Sequence, residues 1–263
     1  MGESLLPFLD AIEANYGPKI ELGRYWLWIA ESARQVGISW HMGRSFDRLV
    51  EVNAQNQDSW APLAPIYDPA FSDIPEKDCI YLEGQYGGEP VVTMALRRFD
   101  WSHTSLRDEW ESGRLAYRDP ASMMQPGEQW IAAAPRAERI TGRVVDSGGL
   151  WCHPRLRSRR VPVLTMALMR SVTLAMWNPD FLTGQVETGA RARALLTLYG
   201  HPMSQPGMRI VGSWRSFDCI LIWESRDYIT GRVAERGSST GADQPETGYG
   251  RYEYVRAAGA PGE

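Results

Sequence analysis

Apolar residues recur with two different periods along the chain, and the changes between the periods mark the predicted elements. Short apolar runs of strand length are separated by segments in which apolar residues recur every three or four positions. The runs predict strands at 38–43, 79–86, 90–99, 142–154, 181–187, 208–214 and 217–225, with a late edge strand at 251–255.

Helical spacing predicts four helices between these strands, and Gly87-Gly88 predicts a hairpin turn between the second and third strands. The proline- and glycine-containing residues 200–207 are expected to form a loop. This order of elements indicates an α/β fold of the α+β kind, in which helices flank one central mixed sheet. The predicted helices lie at 46–60, 104–117, 163–176 and 188–199.

Three regions follow from these patterns. Residues 1–36 are expected to form an added N-terminal helical segment, and residues 37–230 the α/β domain, with an insertion at about 100–142. The polar, glycine-rich residues 231–263 are expected to form a mobile tail. The run Tyr25–Ile29 is apolar on every side of a helix, which indicates burial on two faces and leaves a homodimer open.

Composition narrows the function classes. The chain has 263 residues, 43% of them apolar, and a formal net charge of −4, which disfavours a general nucleic-acid coat protein. It has no apolar run of membrane-spanning length and no basic segment typical of a secretory signal, so we expect neither membrane insertion nor secretion. The three cysteines and four histidines lack metal-ligand spacing, which indicates a cytoplasmic protein without a metal.

Arginine dominates the basic residues, because only Lys19 and Lys77 of the 28 are lysines. The amides of a helix start together with clustered guanidinium groups suit a phosphate or pyrophosphate. A solvated basic turn explains the same pattern, and a GC-rich genome explains the excess of arginine. The turn between the strand that ends at Pro154 and the next helix contains Arg155, Arg157, Arg159 and Arg160.

The order of elements and this turn together resemble the GNAT superfamily of acyl-CoA N-acyltransferases, over about residues 38–225. In that family the fourth strand ends in a proline-containing turn, and the amides of an Arg/Gln-x-x-Gly-x-Gly/Ala loop bind the CoA pyrophosphate. Arg157 stands at the first position of the motif, but Arg160 and Pro162 stand where small residues are expected. The resemblance implies an acyl-CoA donor such as acetyl-CoA, bound by Arg157, Ser158, Arg159 and Arg160.

The departures from the motif leave three outcomes open. Arg160 crowds a backbone that glycine would leave accessible, and Pro162 removes one donor N–H. In the first outcome, arginine side chains replace the lost amides and hold CoA. In the second, the donor is an acyl group on an acyl carrier protein, whose acidic surface suits the arginines. In the third, donor binding is lost and the chain is a binding or regulatory module.

The resemblance also implies residues for the reaction. Family members often have a tyrosine before a glycine at the end of the last helix, where it protonates the leaving thiolate, and Tyr199 matches it. Many have an acidic general base on the fourth strand, which indicates Asp146. An amide near Leu150, Trp151 or Cys152 would stabilise the tetrahedral oxyanion. The alternative explanations are a tyrosine of the core for Tyr199 and a solvated aspartate for Asp146.

The pair Gly148-Gly149 inside this strand predicts a β-bulge or a close ligand approach. In the family a bulge at this place parts two strands, and pantetheine lies between them. Strict alternation predicts two faces: Asp146, Gly148, Leu150 and Cys152 on one, and Ser147, Gly149, Trp151 and His153 on the other.

Three further side chains have simpler explanations. The candidates are His153 as a base, Glu187 as a contact of the acceptor amine and Cys152 as a nucleophile. The simpler explanations are, in the same order, a histidine in a turn, an exposed glutamate at a strand end and a buried thiol. The acceptor cleft is expected along Trp60–Phe71, the insertion and the loop after Tyr199, which are rich in aromatic residues. The sequence thus predicts an N-acyltransferase that moves an acyl group from acyl-CoA to a primary amine of a small molecule by direct attack.

Overall fold

The computed structural model describes residues 8–157, 161–189, 192–201, 203–212, 215–238 and 253–254. In this part of the chain the strands are β1 (Ile38–Gly43), β2 (Cys79–Tyr86), β3 (Glu89–Trp101), β4 (Gln129–Ala132), β5 (Gly142–Cys152), β6 (Phe181–Glu187), β7 (Met203–Val211), β8 (Phe217–Ser225) and β9 (Glu253–Tyr254). The α-helices are α1 (Lys19–Gln35), α2 (Asp47–Gln55), α3 (Leu106–Glu111), α4 (Pro120–Met123), α5 (Val161–Trp177), α6 (Ala192–Tyr199) and α7 (Arg226–Ser238).

One mixed sheet organises the molecule. Its strand order is β1-β2-β3-β5-β6-β8-β7-β4, and β9 pairs with β7. The pairs β5–β6 and β7–β9 are parallel, and the other pairs formed by the described strands are antiparallel. The predicted mixed sheet with flanking helices is therefore confirmed. The insertion contributes β4, which extends the sheet beyond β7.

The two faces of the sheet have different cores. Helix α5 packs on one face, between the sheet and the helices α1 and α7. Most of its side chains are apolar, and all but Val163 are buried. The opposite face packs against α2, α3 and the loop before β2, and its core is rich in tryptophan and tyrosine. The aromatic residues Trp101, Tyr117 and Trp130 are buried in this second core.

Residues 231–238 were expected to belong to a mobile tail. This prediction was wrong, because α7 continues to Ser238. Helix α7 packs closely on α1: a Cβ added at Gly237 would lie 2.4 Å from the Glu21 carbonyl oxygen. Apolar Ile229 and Val233 are buried one turn apart, so one face of this polar helix belongs to the core. The later part of the expected tail lies outside the described residues, except that Glu253–Tyr254 confirms a short edge strand.

Two other predictions also need correction. Residues 203–207 belong to β7, where a register shift next to Pro206 and Gly207 accommodates both residues within the ladder. The N-terminal segment has a short 3₁₀ turn at Leu9–Ala11 before α1, and residues 1–7 lie outside the described part. In α1, Tyr25, Trp26 and Ile29 are buried within the chain, whereas Leu27 is 59% exposed, so the chain itself covers one side of the apolar run at 25–29.

Among the helices of the described ranges, we find none with the length and apolar character needed to cross a lipid bilayer.

Candidate active site

The site lies where the two central parallel strands separate. Strands β5 and β6 pair from Val144 opposite Phe181 to Ser147 opposite Gly184. Beyond this point β5 continues to Cys152 and β6 to Glu187, and the described residues form no ladder across the gap. The backbone edges on the two sides of the opening therefore have no strand partner in each other.

A β-bulge in β5 coincides with this opening. On the other side of β5, Ala95 pairs with Gly148 and Thr93 with Trp151, so β5 has one residue more than β3 between these pairs. Gly149 has a φ of +59°, and its carbonyl accepts a hydrogen bond of 2.8 Å from the Thr93 hydroxyl. The bulge predicted from Gly148-Gly149 is confirmed, and the left-handed backbone explains the second glycine.

The extra residue reverses the alternation of side chains along β5. Val145 before the bulge and Cys152 after it both belong to the core on the α5 side. Asp146 and Trp151 contact the loop at 59–67 on the opposite side. The expectation that Asp146 and Cys152 share one face was therefore wrong, because strict alternation does not continue through a bulge.

A cavity of about 370 Å³ lies at the opening between the strands. Its walls come from β5, β6, α5, α6, the ends of β7 and β8 and the loop before β2. Of the aromatic residues expected around the acceptor, Trp60, Tyr67 and Trp110 line the cavity. The polar residues of the wall include Tyr67, Gln185, Tyr199 and His201.

Asp146 lies behind this wall. Its side chain is fully buried and accepts hydrogen bonds from the Tyr67 hydroxyl (2.5 Å), the Thr183 hydroxyl (2.9 Å) and the Gln185 amide (2.9 Å). Burial raises the pKa of Asp146, although these three bonds and the charge of Arg97 act in the opposite direction. Tyr67 and Gln185 are cavity-lining residues of the described chain, whereas Asp146 is not.

Tyr67 is held against the backbone of β5. A Cβ added at Gly148 would lie 2.3–2.5 Å from the ring and hydroxyl of Tyr67, so the first glycine of the pair makes room for this tyrosine. The buried Arg97 donates hydrogen bonds to the carbonyls of Ile66 (2.5 Å) and Asp73 (2.9 Å), which fixes the loop on both sides of Tyr67. Burial and the neighbouring Asp146 carboxylate raise the pKa of Tyr67 well above its ordinary value.

Tyr199 is the last residue of α6 and lines the same cavity. Burial raises the pKa of its hydroxyl, Cys152 raises it further, and Arg157 opposes the change. The Cys152 thiol is itself buried, which raises its pKa to about 11. A thiol with this pKa is protonated at neutral pH, so the nucleophile hypothesis for Cys152 finds no support.

The other residues expected to bind the donor have different positions. Leu150 lines the cavity, whereas Trp151 stacks on Trp60 with the ring centroids 5.5 Å apart. The Arg157 guanidinium donates to the carbonyls of Cys152 (3.0 Å) and Ser59 (3.3 Å). Ser158, Arg159 and Arg160 lie outside the described residues.

The side chains of His153 and Glu187 have partners close to them in the structure. His153 Nδ1 accepts a hydrogen bond of 3.3 Å from the amide of Arg155, and partial burial lowers the pKa of the imidazole. Glu187 forms an ion pair of 2.5 Å with Arg215 at the cavity wall. The described residues contain no group of three or more side chains arranged to hold a metal ion.

A second buried carboxylate, Glu224, was missed at the level of sequence. It accepts hydrogen bonds of 2.6–3.0 Å from Arg170 and lies 3.0 Å from His201 Nδ1. Burial opposes its ionisation, but Arg170 and His201 outweigh burial and hold the pKa of Glu224 at about 2. Arg170 also donates to the Tyr199 carbonyl (2.7 Å). The available signal was Arg170 itself, the one charged residue between Val161 and Trp177.

These features together define the fold. The central parallel pair parted at a bulge, the buried helix between its two strands and Tyr199 before the last hairpin form a GNAT-like architecture. This is the architecture that the sequence resemblance predicted.

Solved structures with a similar chain course include several N-acyltransferases. The chain is 10% identical to FeeM, an N-acyl amino acid synthase from uncultured soil microbes, with a TM-score of 0.41 over 75% of this chain and 97% of that one. It is 13% identical to Arabidopsis thaliana NAA60 in complex with acetyl-CoA, with a TM-score of 0.37 over 72% of this chain and 98% of that one. It is 8% identical to an aminoglycoside N(6')acetyltransferase from Legionella pneumophila, with a TM-score of 0.40 over 74% of this chain and 96% of that one.

No protein-family model and no curated protein matches the chain. Structural similarity at these identities and TM-scores assigns no activity to this protein.

Proposed function

We propose that the protein is an N-acyltransferase that moves an acyl group from acyl-CoA to a primary amine of a small molecule by direct attack. The supporting observation is the parting of β5 and β6 at the cavity. An extended pantetheine arm can pair with a free strand edge as an added strand does, and the cavity then receives the thioester end. The acyl group and the amine meet among the residues of the cavity wall.

The donor site fits this proposal in two respects. The β5 edge near Leu150 faces the opening, and a backbone amide of this segment, between Leu150 and Cys152, is the proposed donor to the tetrahedral oxyanion. The chain after Pro154 brings Arg155 and Arg157, together with Arg159 and Arg160 of the sequence, ahead of the start of α5. Positive charge at a helix start favours a pyrophosphate.

We assign the leaving-group proton to Tyr199 and the final acceptance of the amine proton to Asp146. Tyr199 is supported by its place in the cavity wall and by a pKa that keeps its hydroxyl protonated. Asp146 is supported by a raised pKa, which brings a carboxylate nearer to the basicity that proton acceptance requires. Since Asp146 lies behind the wall, its role needs a group that connects the carboxylate to the cavity.

Two alternatives remain distinct from this proposal. A donor carried on an acyl carrier protein uses the same opening and the same arginines, but needs no free CoA. A binding or regulatory module without donor chemistry is favoured by Pro162, which lacks an N–H in the first turn of α5, and by the use of Arg157 for backbone carbonyls.

Calorimetric titration with acetyl-CoA and with CoA tests the proposal. The wild-type protein is expected to bind both, and the variant Arg157→Ala/Arg159→Ala to lose about tenfold or more in affinity, because each change removes charge-assisted bonds to phosphate. The matched control is Arg24→Ala/Arg34→Ala on α1, which removes the same charge elsewhere and leaves the affinity unchanged. Binding weaker than millimolar for both ligands contradicts a CoA-dependent enzyme. Transfer from an acylated carrier protein in that case supports the second alternative.

A further inference from the structure

The base proposed for the reaction has no direct access to the cavity. Asp146 has an exposure of 0%, and each of its carboxylate oxygens is occupied by a hydrogen-bond donor. An amine in the cavity therefore meets the donors to Asp146 before it meets the carboxylate. Two of these donors, Tyr67 and Gln185, line the cavity.

Of these two, only Tyr67 is able to exchange a proton. A phenol hydroxyl has one proton to donate and lone pairs with which to accept another, whereas the amide of Gln185 donates without being a base. The Tyr67 hydroxyl lies 2.5 Å from Asp146 Oδ2, a short distance typical of a strong hydrogen bond to a carboxylate. It also lies directly over Gly148, at the start of the opening between β5 and β6.

The surroundings keep this hydroxyl in place. Arg97 binds the carbonyls on both sides of the loop, and the Phe46 ring lies 6.2 Å from the Tyr67 ring between centroids. The same Arg97 is the charged group that faces Asp146 from β3, and the neighbours on β6 are the uncharged Thr183 and Gln185. A hydroxyl fixed between a cavity and a buried carboxylate has the geometry of a proton relay.

We propose that Tyr67 is a further catalytic residue of this site and passes the proton of the attacking amine to Asp146. This inference rests on the proposed function. The amine nitrogen bonds to the thioester carbon, its N–H proton goes to the Tyr67 oxygen, and the former Tyr67 proton goes to Asp146 Oδ2. The carbon–sulfur bond then breaks, and the thiolate takes the proton of Tyr199. After the products leave, water removes the proton of Asp146 through Tyr67 and restores that of Tyr199.

The raised pKa of both groups agrees with this path. Tyr67 with a high pKa stays protonated between turnovers, so it transfers protons without existing as a free phenolate. Asp146 with a raised pKa holds the transferred proton better than an ordinary aspartate does.

The test compares Tyr67→Phe with Tyr81→Phe. Tyr81 forms the same kind of pair on the same face of the sheet, with its hydroxyl 2.6 Å from Glu83, and it is not among the described residues that line the cavity. Acetyl-CoA is the donor, hydroxylamine and tyramine are the acceptors, and release of the CoA thiol is followed. Tyr67→Phe is expected to lower kcat by about 100-fold, the usual contribution of a positioned acid–base group, with the affinity for acetyl-CoA unchanged. Tyr81→Phe is expected to keep the wild-type kcat.

A second readout needs no acceptor. The carboxyl carbon of Asp146 is titrated by NMR in the wild type and in Tyr67→Phe. Because the hydrogen bond from Tyr67 stabilises the carboxylate, its loss is expected to move the titration of Asp146 to higher pH. An unchanged titration shows that the two groups are not coupled and overturns the relay.

The outcomes separate this inference from the proposed function. A wild-type protein that does not bind acetyl-CoA overturns the proposed function and the relay with it. Transfer by Tyr67→Phe within about threefold of the wild type leaves the proposed function standing and removes Tyr67 from the reaction. A loss of kcat in Tyr81→Phe equal to that in Tyr67→Phe also overturns the relay. The relay is overturned as well if the wild type binds acetyl-CoA but transfers the acetyl group to neither acceptor, since hydroxylamine fits any cavity that holds a thioester.

Discussion

Two of the carboxylates that the sheet buries, Asp146 and Glu224, lie on its opposite faces and have different partners. Asp146 is 0% exposed and Glu224 is 1% exposed, so removal from water penalises ionisation of both. The pKa of Asp146 is raised, whereas that of Glu224 is lowered to about 2. The difference comes from their partners. Uncharged hydroxyl and amide groups contact Asp146, and Arg170 contacts Glu224.

The comparison shows that the partner, and not the depth of burial, decides the direction in which the pKa of each group shifts. Glu224 is a fixed anion that ties α5 to β8, and through Arg170 it also binds the carbonyl at the end of α6. Such a pair orders the protein around the cavity but has no proton to exchange at neutral pH. Asp146 has only neutral donors in direct contact, which leaves it able to take a proton.

The largest effect is expected from Glu224→Gln. Removal of the carboxylate leaves Arg170 charged and buried, which is expected to lower the free energy of unfolding by about 3–5 kcal/mol. Urea denaturation measures the change. In the double variant Glu224→Leu/Arg170→Met both charges are absent, and most of the stability is expected to return. A loss in Glu224→Gln below about 1 kcal/mol contradicts the assignment of Glu224 as a structural anion.

Tyr199→Phe is expected to lower the turnover number by about 10- to 100-fold while the affinity for acetyl-CoA holds, because only the acid is removed. The Arg170 network contacts the carbonyl of Tyr199 and not its hydroxyl, so stability is expected to change little. The control is Tyr228→Phe, which removes a neighbouring hydroxyl that bonds the Gly200 carbonyl at 3.4 Å. Steady-state rates decide the point, and an unchanged turnover number removes Tyr199 from the mechanism.

Gly148→Ala alters the packing around Tyr67 and Asp146 without removing a charged group. The added methyl group meets the ring and hydroxyl of Tyr67 at 2.3–2.5 Å, so we expect a loss of about 1–3 kcal/mol in unfolding free energy from overpacking. Gly189→Ala is the control, because a Cβ at Gly189 meets nothing within 4 Å. Equal thermal stability of the two variants would show that Tyr67 does not lie against β5.

The smallest effect is a change in pH dependence. Asp146 has a folded-state pKa above its unfolded value, so its contribution to stability is greatest at low pH and falls as pH rises through the folded pKa. Asp146→Asn is expected to abolish this fall and to cost less than about 1 kcal/mol at low pH, where the carboxyl is protonated. Glu224 has the opposite sign: its contribution is present above the ordinary glutamate value and is lost as pH falls toward 2. Unfolding free energies of Asp146→Asn and Glu224→Gln across acidic and neutral pH measure both slopes.

The sequence predicted most of the order of elements and the position of the bulge, because both depend on local patterns. The hairpin at Gly87-Gly88 is a further prediction of this kind. The first half of β7, residues 203–207, was predicted as a loop because Pro206 and Gly207 resemble a loop until pairing with β8 is known. Helix α7 was missed because its polar composition hides the few residues that it buries.

The site was predictable only in part, for a related reason. Asp146 and Tyr199 were singled out by resemblance, but their surroundings depend on contacts between distant positions. Tyr67 lies 79 residues before Asp146, and Arg170 lies 54 residues before Glu224. No periodicity in one sequence links such pairs, so the sheet topology was needed to bring them together.

The bulge at Gly149 has a consequence for the sequence on its two sides. One inserted residue changes the parity of every later position, so the two halves of this strand are in opposite phase. If the same residues alternated strictly, Trp151 would lie in the core under α5 and Cys152 toward the loop that Trp60 belongs to. Deletion of Gly149 would remove the extra residue and leave both side chains on their present sides. Any alignment of this strand with an unbulged one therefore needs a gap at that residue, and without it every later side chain is assigned to the wrong side of the molecule.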